Sequence, residues 1–309
     1  MILALTIFAS DCVREESEQN RKFTIGFAPM NVEMTWMKFA YRAIRKKAAE
    51  LGVELITYDA SNNVVKQAIN IEDLIKRGVD AIITLPIDAK GLIPALDLAS
   101  RKGIPVVTFS RTAIGAPYLF FVGSDDEEAG RLACRFLAER LNGVGEVVVL
   151  EGTIGSTSAI NRSQGFYDEI KKYPAMKVVF KKSAGYLRNE GYRVMEETLA
   201  TVAGFNAVYS HNDDMILGAL EAIENAGIPP EKIVTIGTDA VPKALIAILE
   251  GRLDATIQHP ISIVDIALEK LVHYLKTGNL PEWKEHLVKP WVITNKNIST
   301  GNFYSIIQE

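Results

Sequence analysis

Polar residues that could hold a small hydroxylated molecule follow several predicted strands of this sequence. Arg111, Asn212 and Asp239 each end a predicted strand or begin the turn after it, and Arg162 lies on the first turns of a predicted helix. Arginine offers a planar fork of hydrogen-bond donors, while aspartate and asparagine add acceptors that select hydroxyl positions. Placed around one cavity, these four side chains would clamp a neutral polyol.

Two aromatic residues could supply a flat wall for a sugar ring. Trp36 lies at the start of the helix that follows the first predicted strand, and Tyr186 lies in the second half of the chain. The face of an indole or phenol ring suits the C–H face of a pyranose or furanose. Packing in a hydrophobic core is the competing interpretation for both residues, and the sequence leaves it open.

The sequence carries no recognisable catalytic or metal-binding set. It lacks G-x-x-x-x-G-K-[ST], H-E-x-x-H, G-x-S-x-G and C-x-x-C, and none of its four histidines has zinc-ligand spacing to another. Ser210 and His211 precede Asp213 and Asp214, but neighbours on a strand point to opposite faces, which disfavours proton transfer between them. Asn212 to Asp214 are better explained as a helix cap. We therefore predict no enzyme activity, no cofactor and no metal.

The elements that must position these residues are short β-rich runs alternating with helical runs. Phe23 to Ala28 is predicted as a strand, and Trp36 to Leu51 as a helix. An internal repeat divides the chain, because GVDAIITLPID at 78–88 and GFNAVYSHNDD at 204–214 share a helix stop, a β run and a polar helix start. The predicted fold class is α/β, with two doubly wound parallel-sheet domains whose strand ends face each other across a cleft.

Composition bounds the class of protein further. The 309 residues include 34 Lys and Arg against 38 Asp and Glu, for a formal net charge of −4, and 48% are hydrophobic. This is a globular mixture, long enough for about two domains. No basic surface is indicated, so we predict no nucleic-acid partner. Two cysteines, Cys12 and Cys134, exclude a disulfide framework.

Residues 1–22 are predicted to be a leader and tether. An uncharged apolar run, MILALTIFAS, precedes Asp11, Cys12 and a polar stretch. The pattern resembles a secretory signal without its basic start, or a lipoprotein signal in which Cys12 would carry the lipid. A leader with a chance cysteine is the alternative. The pattern favours an extracytoplasmic, periplasmic protein and allows a membrane anchor through Cys12.

With these residues placed, the sequence resembles the ribose-binding and galactofuranose-binding proteins, a class of type I solute-binding proteins that supply ABC importers. The resemblance runs from about residue 22 to 299 and is strongest in LEGTIGSTSAINRSQGF (150–166), YSHNDDMILGALEAIENAG (209–227) and TIGTDA (235–240). It implies two lobes joined by a three-strand hinge. A monosaccharide would be captured between the lobes and delivered to an ABC permease.

The resemblance also implies roles for individual residues. Trp36 would stack on the sugar, Glu33 would accept from a hydroxyl, and Tyr186 would cover a second ring face. His259 falls where the family commonly has a glutamine ligand, and Gln258 would replace it if the register slips by one. Hydrogen bonds to the ring oxygen and hydroxyls would come from Arg111, Arg162, Asn212 and Asp239.

The sequence departs from the family at several of these positions. Ser110, also assigned to the site, stands where the family usually has aspartate. Met37 stands where the galactofuranose-binding branch has arginine, and Gly185 replaces an acid. A site built to pair one hydroxyl rejects an analogue lacking it, because buried partners are then left unpaired. We therefore expect this pocket to select a different set of hydroxyls.

The implied domains are discontinuous, and one lobe would comprise residues 23–124 plus 258–287. The other would comprise residues 125–257 plus 288–309, and the protein would act as a monomer. The alternative function is a ligand-sensing receptor domain of the same fold, either for signalling or as the effector domain of a lactose-repressor-type transcription factor. The latter needs an N-terminal helix-turn-helix of about 50–60 residues, whereas about 22 residues precede the first predicted strand.

Overall fold

One six-stranded parallel sheet is built mainly from the first part of the chain. The structure is a computed structural model that describes residues 22–300, so Cys12 lies outside the described residues. The strand order is β11-β5-β4-β3-β1-β2. The strands are β1 (Thr24–Ala28), β2 (Glu54–Thr57), β3 (Ala81–Thr84), β4 (Val106–Phe109), β5 (Phe120–Ser124) and β11 (Glu285–Val288).

Helices cover both faces of this first sheet. On one face, α1 (Thr35–Leu51) and α9 (Ser262–Thr277) contribute buried side chains to one hydrophobic cluster. On the other face, α2 (Val64–Arg77) and α3 (Ile93–Arg101) form a second cluster. Strands β3 and β4 are buried along their whole length, as expected for parallel strands covered on both sides.

The second sheet repeats the arrangement of the first, in the order β12-β10-β9-β8-β6-β7. All its neighbours are parallel except β12, which runs antiparallel to β10. Its strands are β6 (Val144–Glu151), β7 (Ala175–Ser183), β8 (Ala207–Ser210), β9 (Val234–Asp239), β10 (Ala255–Gln258) and β12 (Val292–Thr294). Its helices are α4 (Asp126–Arg140), α5 (Thr157–Ile170), α6 (Arg188–Thr201), α7 (Asp213–Asn225) and α8 (Pro242–Leu249).

Local sequence signals account for the ends of several helices. Gly52 and Gly78 end α1 and α2 in the left-handed conformation, with φ of 70° and 73°. Side chains of Asn63, Ser156 and Asn212 cap the starts of α2, α5 and α7 by accepting from backbone N–H groups. These signals fix where each strand–turn–helix connection leaves the sheet edge.

The two sheet orders correspond strand for strand, so the predicted duplication and fold class are confirmed. The connections between the two sheets differ slightly from the predicted division. Gln258 is still paired with Asp239 in the second sheet, and Val288 is paired with Ser124 in the first. Each pairing moves the predicted crossing by one residue.

Helices α8 and α9 are not among the predicted helices. Both fall in regular positions of the repeated β–α pattern, after β9 and β10 respectively. Within residues 22–300, no helix is both long enough and apolar enough to span a membrane.

Candidate functional site

A cavity lies where the carboxyl ends of the two sheets face each other. Most lining residues come directly after strands β1, β3, β4, β8, β9 and β10, or from the first turns of α1 and α5. They are Met30, Met34, Thr35, Trp36, Met37, Leu85, Ser110, Arg111, Ser158, Arg162, Tyr186, Asn212, Asp214, Asp239 and His259.

Strained backbone places three of these side chains. The backbone angle φ is 58° at Ser110, 65° at Tyr186 and 132° at Asp239, and residues other than glycine rarely adopt positive φ. At Ser110 the chain makes a three-residue turn, in which the N–H of Arg111 donates to the carbonyl of Phe109 at 2.6 Å. Such conformations cost free energy and cluster at binding sites, where they aim side chains at a ligand.

Arg162 forms the floor of the cavity and is held on several sides. Its Nε donates to Asp126 Oδ1 at 2.8 Å, and one Nη donates to the carbonyl of His211. Burial acts to lower the pKa of Arg162, but the surrounding acidic groups, Asp126 first among them, together outweigh burial and raise the pKa. Arg162 is therefore a fixed positive charge at the base of the cleft.

His259 is neutral, and its tautomer follows from its two partners. Arg162 can only donate, so Nδ1 of His259 accepts from Arg162 Nη2 at 3.2 Å. The proton is then assigned to Nε2, which donates to Ser110 Oγ at 2.9 Å. Burial lowers the pKa of His259 well below its usual value, and the charges of Arg162 and Arg111 lower it further. The Ser110 hydroxyl hydrogen is left free to donate to a ligand.

Arg111 has a different environment from Arg162. Its side chain is 6% exposed, and its guanidinium lies over the ring of Tyr186, 4.9 Å from the ring centroid. Its Nη1 makes no hydrogen bond with any described residue. A buried donor without a partner costs free energy, so the geometry calls for an acceptor in the cavity.

Two carboxylates face the cavity from the second half of the chain. Asp239 Oδ1 lies 4.0 Å from Arg162 Nη1, and burial raises the pKa of Asp239 well above its usual value. Asp214 Oδ1 accepts from the hydroxyl of Thr35 at 2.8 Å. Burial raises the pKa of Asp214 as well. Both residues offer oxygen acceptors to the hydroxyls of a ligand.

Trp36 joins the two halves at one wall of the cavity. Its indole Nε1 donates to the backbone carbonyl of His259 at 2.9 Å, and its ring packs against the imidazole with a centroid distance of 4.7 Å. The ring contacts hydrophobic clusters of both sheets. Trp36 therefore both packs in the structure and lines the cavity, and its stacking on a sugar stays a prediction.

The structure does not bring every predicted residue to the cavity. Glu33 is exposed and forms an ion pair with Lys38 at 3.1 Å. Gln258 accepts from the indole N–H of Trp291 and lines a neighbouring cavity. Of the two candidates at the connection after β10, His259 is the one that lines the cavity.

Asn212 reaches the cavity but is partly committed elsewhere. Its Oδ1 accepts from the N–H of Met215 as the cap of α7, and its Nδ2 donates to the carbonyl of Tyr186 at 3.3 Å. The cap interpretation is therefore correct for Asn212. One amide hydrogen remains available to a ligand.

Several lining residues were missed by sequence reasoning. Met30, Met34, Met37 and Leu85 give the cavity an apolar wall. Met30 and Leu85 follow strands β1 and β3, and this position could have indicated that they line the cavity. Among residues at strand ends, only polar ones were predicted to do so. Thr35, Ser158 and Asp214 were also missed. Asp214 had been assigned to the helix cap with Asp213.

No catalytic set is formed by Ser210 and His211. The Ser210 hydroxyl donates to the carbonyl of Asn212 at 2.8 Å, and His211 Nδ1 accepts from the N–H of Gly152 at 3.2 Å. Asp213 is buried beneath the site, where it accepts from Thr256 Oγ1 at 2.6 Å. Among residues 22–300, no group of three or more His, Cys, Asp or Glu side chains is arranged to hold a metal ion.

The cavity is closed by direct contacts between the two halves of the chain. Besides the Thr35–Asp214 hydrogen bond, the N–H of Ala89 donates to the carbonyl of Gly155 at 2.9 Å. These contacts lie on the cleft faces, away from the connecting strands. The structure is thus the closed arrangement around the cavity.

Comparison with known proteins places this architecture in a family. A model of the periplasmic binding protein domain matches residues 25–279. The ribose import binding protein of Bacillus subtilis (strain 168) is 35% identical over 254 residues, covering 82% of each chain. The galactofuranose-binding protein of Escherichia coli (strain K12) is 32% identical over 267 residues, covering 84% of each chain.

A solved structure agrees with the sequence comparisons. It is the periplasmic binding protein component of the arabinose ABC transporter from Shewanella sp. ANA-3, bound to alpha- and beta-L-arabinofuranose. It matches with a TM-score of 0.87 and 30% identity, covering 92% of this chain and 96% of that chain. The chain therefore belongs to the periplasmic binding protein family, in its type I sugar-binding class.

Proposed function

We propose that this protein captures a single monosaccharide, in pyranose or furanose form, between its two lobes and delivers it to an ABC permease. Family membership implies an extracytoplasmic location, and the proposal adds that the protein binds its ligand without chemical conversion and acts as a monomer. Attachment to the membrane through Cys12 remains a prediction.

The observation that carries the proposal is the set of unused polar groups around one cavity. Arg111 Nη1 and the Ser110 hydroxyl can each donate a hydrogen bond to a ligand. Asp239 and Asp214 present carboxylate oxygens that can accept hydrogen bonds from it. Trp36 and the methionine side chains add an apolar wall. Donors, acceptors and a flat apolar face around one cavity match a single polyhydroxylated ring.

Closure is proposed to follow ligand capture by movement at the connections between the sheets. The lobes are proposed as residues 23–124 plus 259–288 and 125–258 plus 289–309, which differ from the sequence-based division by one residue at two crossings. Because the lining residues come from both lobes, opening would split the site in two. The ligand then stabilises the closed form by contacting both halves at once.

The test is a thermal-shift screen followed by calorimetric titration of the hits. The panel contains pentoses, hexoses, furanose-rich sugars, uronates and polyols. A ligand at about 100 times its Kd adds about 2.7 kcal/mol to the free energy of unfolding, which is visible as a higher melting temperature. Failure of the whole panel to raise the melting temperature, before and after removal of any copurified ligand by unfolding and refolding, would contradict the proposal.

The variant Asp239→Asn tests whether the sugar binds beside Asp239. The substitution keeps the shape of the side chain and its tolerance of positive φ, but removes a carboxylate whose burial is unfavourable. We expect at least about tenfold weaker binding, with a melting temperature of the ligand-free protein equal to or above wild type. Asp73→Asn, in an exposed ion pair with Lys76, is the matched control and should bind like wild type.

A further inference from the structure

Arg111 is a buried positive charge that the described chain does not neutralise. Among residues 22–300, no Asp or Glu oxygen lies within 4.0 Å of its guanidinium, and Nη1 has no hydrogen-bond partner. Its neighbour is the ring of Tyr186, at 4.9 Å. Arg162, which is equally buried, has the carboxylate of Asp126 at 2.8 Å. The two arginines of the cavity therefore differ in whether the protein supplies a counter-charge.

An unpaired buried charge is unfavourable, and a contact with an aromatic face offsets only part of the cost. Burial lowers the pKa of Arg111, and the like charge of Arg162 adds to this effect. Tyr186 and the more distant Asp126 and Asp239 offset only part of the lowering. Because Arg111 lines the cavity, a ligand in the cavity can supply the close counter-charge. The adjacent Ser110 hydroxyl has a free hydrogen and can donate to the same acceptor.

We propose, on the basis of the proposed function, that the ligand is a monosaccharide ring carrying a carboxylate, such as a uronate. Its carboxylate binds Arg111 Nη1 and the Ser110 hydroxyl. Its hydroxyls are directed to Asp239 and Asp214. This differs from the neutral polyol that the sequence alone suggests.

The carboxylates of the protein do not oppose this orientation. Asp239 lies beside Arg162, and Asp214 is hydrogen-bonded to Thr35, so each has its own positive or donor neighbour. Neither lies within ion-pair distance of Arg111. The cavity therefore presents one cationic group without an adjacent counter-charge, Arg111, together with two acidic acceptors, Asp239 and Asp214. A sugar acid complements this set, with a carboxylate for the first and hydroxyls for the second.

The first experiment compares matched pairs by calorimetric titration of the full chain at pH 7. The pairs are galactose with galacturonate and glucose with glucuronate. For the pair whose hydroxyl pattern fits, we expect the acid to bind at least about tenfold tighter, because its carboxylate pairs with a buried arginine. A neutral sugar that binds tighter than its own acid overturns the proposal and leaves the proposed function intact.

The second experiment introduces a counter-charge for Arg111 into the protein itself. Ser110→Asp puts a carboxylate next to Arg111, and aspartate tolerates the φ of 58° at this position. We expect the variant to lose at least about tenfold in affinity for the acid, while the neutral member of the pair keeps or gains affinity. Ser110→Asn is the control of the same size without the charge, and it should keep the preference for the acid.

Melting temperatures establish whether both Ser110 variants are folded. If either variant is not folded, the comparison of each neutral sugar with its acid on the wild-type protein decides whether the ligand carries a carboxylate. Equal preference for the acid in Ser110→Asp and Ser110→Asn would overturn the assignment of Arg111 and Ser110 as the carboxylate site. Failure of wild type to bind any acid or neutral sugar contradicts the proposed function itself.

Discussion

The protonation of His259 decides what the centre of the cavity offers to a ligand. The imidazole lies between a permanent donor, Arg162, and the hydroxyl of Ser110, and it accepts from the first and donates to the second. A charged imidazolium would place a third positive group beside Arg162 and Arg111. The neutral ring instead accepts a hydrogen bond from Arg162 and donates one to Ser110 Oγ. The hydroxyl hydrogen of Ser110 therefore points away from the ring.

This assignment predicts different results for two substitutions of His259. An amide side chain also has one acceptor and one donor, so His259→Gln should keep both contacts and change the free energy of unfolding little. His259→Ala leaves Arg162 and Ser110 without partners and should cost about 1–3 kcal/mol. Chemical denaturation of the ligand-free proteins measures the difference. Equal losses in the two variants would contradict the assignment.

His211 predicts how stability depends on pH. Burial, with the nearby charge of Arg162, lowers the pKa of His211 to about 3, whereas the unfolded chain has the usual value near 6.5. Between these values the unfolded state binds the extra proton. Stability attributable to His211 is therefore constant above pH 6.5 and falls by about 1.4 kcal/mol for each pH unit below it, down to about pH 3.

The experiment compares wild type with His211→Asn, whose oxygen can accept from Gly152 in place of Nδ1. Asp213 acts in the opposite direction, because burial raises its pKa to about 7 and stability then falls as pH rises from 3.8 to 7. Asp213 is present in both proteins, so the difference in unfolding free energy isolates His211. A difference that stays constant from pH 7 to pH 4 would refute the buried neutral imidazole.

Much of the candidate site could be predicted at the level of residues, and the misses have physical reasons. Arg111 and Asp239 were found because polar residues at strand ends meet at one edge of a parallel sheet, and Arg162 because it lies on the first turns of the helix after β6. Glu33 was misplaced because only a resemblance supported it, and its carboxylate reaches Lys38 in solvent instead. Asp214 was missed because a carboxylate at a helix start fits both a cap and a lobe-to-lobe contact.

At the level of elements, strand and helix positions followed from hydrophobic runs and glycine stops, whereas the strained turns could not be predicted. The sequence does not show that Ser110, Tyr186 and Asp239 adopt positive φ, since none is a glycine. The surrounding contacts impose these conformations. Tyr186, for instance, lies between the guanidinium of Arg111 and the loop at Gly152.

The loop after β6 is predicted to tolerate no side chain at Gly152. A Cβ there would lie 2.0 Å from Cζ of Tyr186, so Gly152→Ala must displace the ring and with it the wall beneath Arg111. We expect a loss of about 1–3 kcal/mol in unfolding free energy, together with weaker ligand binding. Gly204→Ala, with nothing within 4 Å of the added carbon, is the control. Similar behaviour of the two variants would contradict this role of the loop.

At the level of the whole molecule, the site exists only when the lobes are together. Thr35 contacts Asp214 across the cleft, and the N–H of Thr112 donates to Thr157 Oγ1 at 3.2 Å on the other side of it. These hydrogen bonds stabilise closure weakly without a ligand, and the packing of Trp36 against both hydrophobic clusters adds an apolar contact. The ligand is then expected to supply most of the free energy of closure.

Small-angle X-ray scattering of the protein with and without the tightest ligand of the panel tests this account most directly. We predict the scattering mass of a monomer in both samples and a smaller radius of gyration at saturating ligand. A non-binding epimer at the same concentration is the control and should leave the radius unchanged. A radius of gyration that does not fall when calorimetry shows the cleft to be saturated would contradict capture of the ligand by closure of the two lobes.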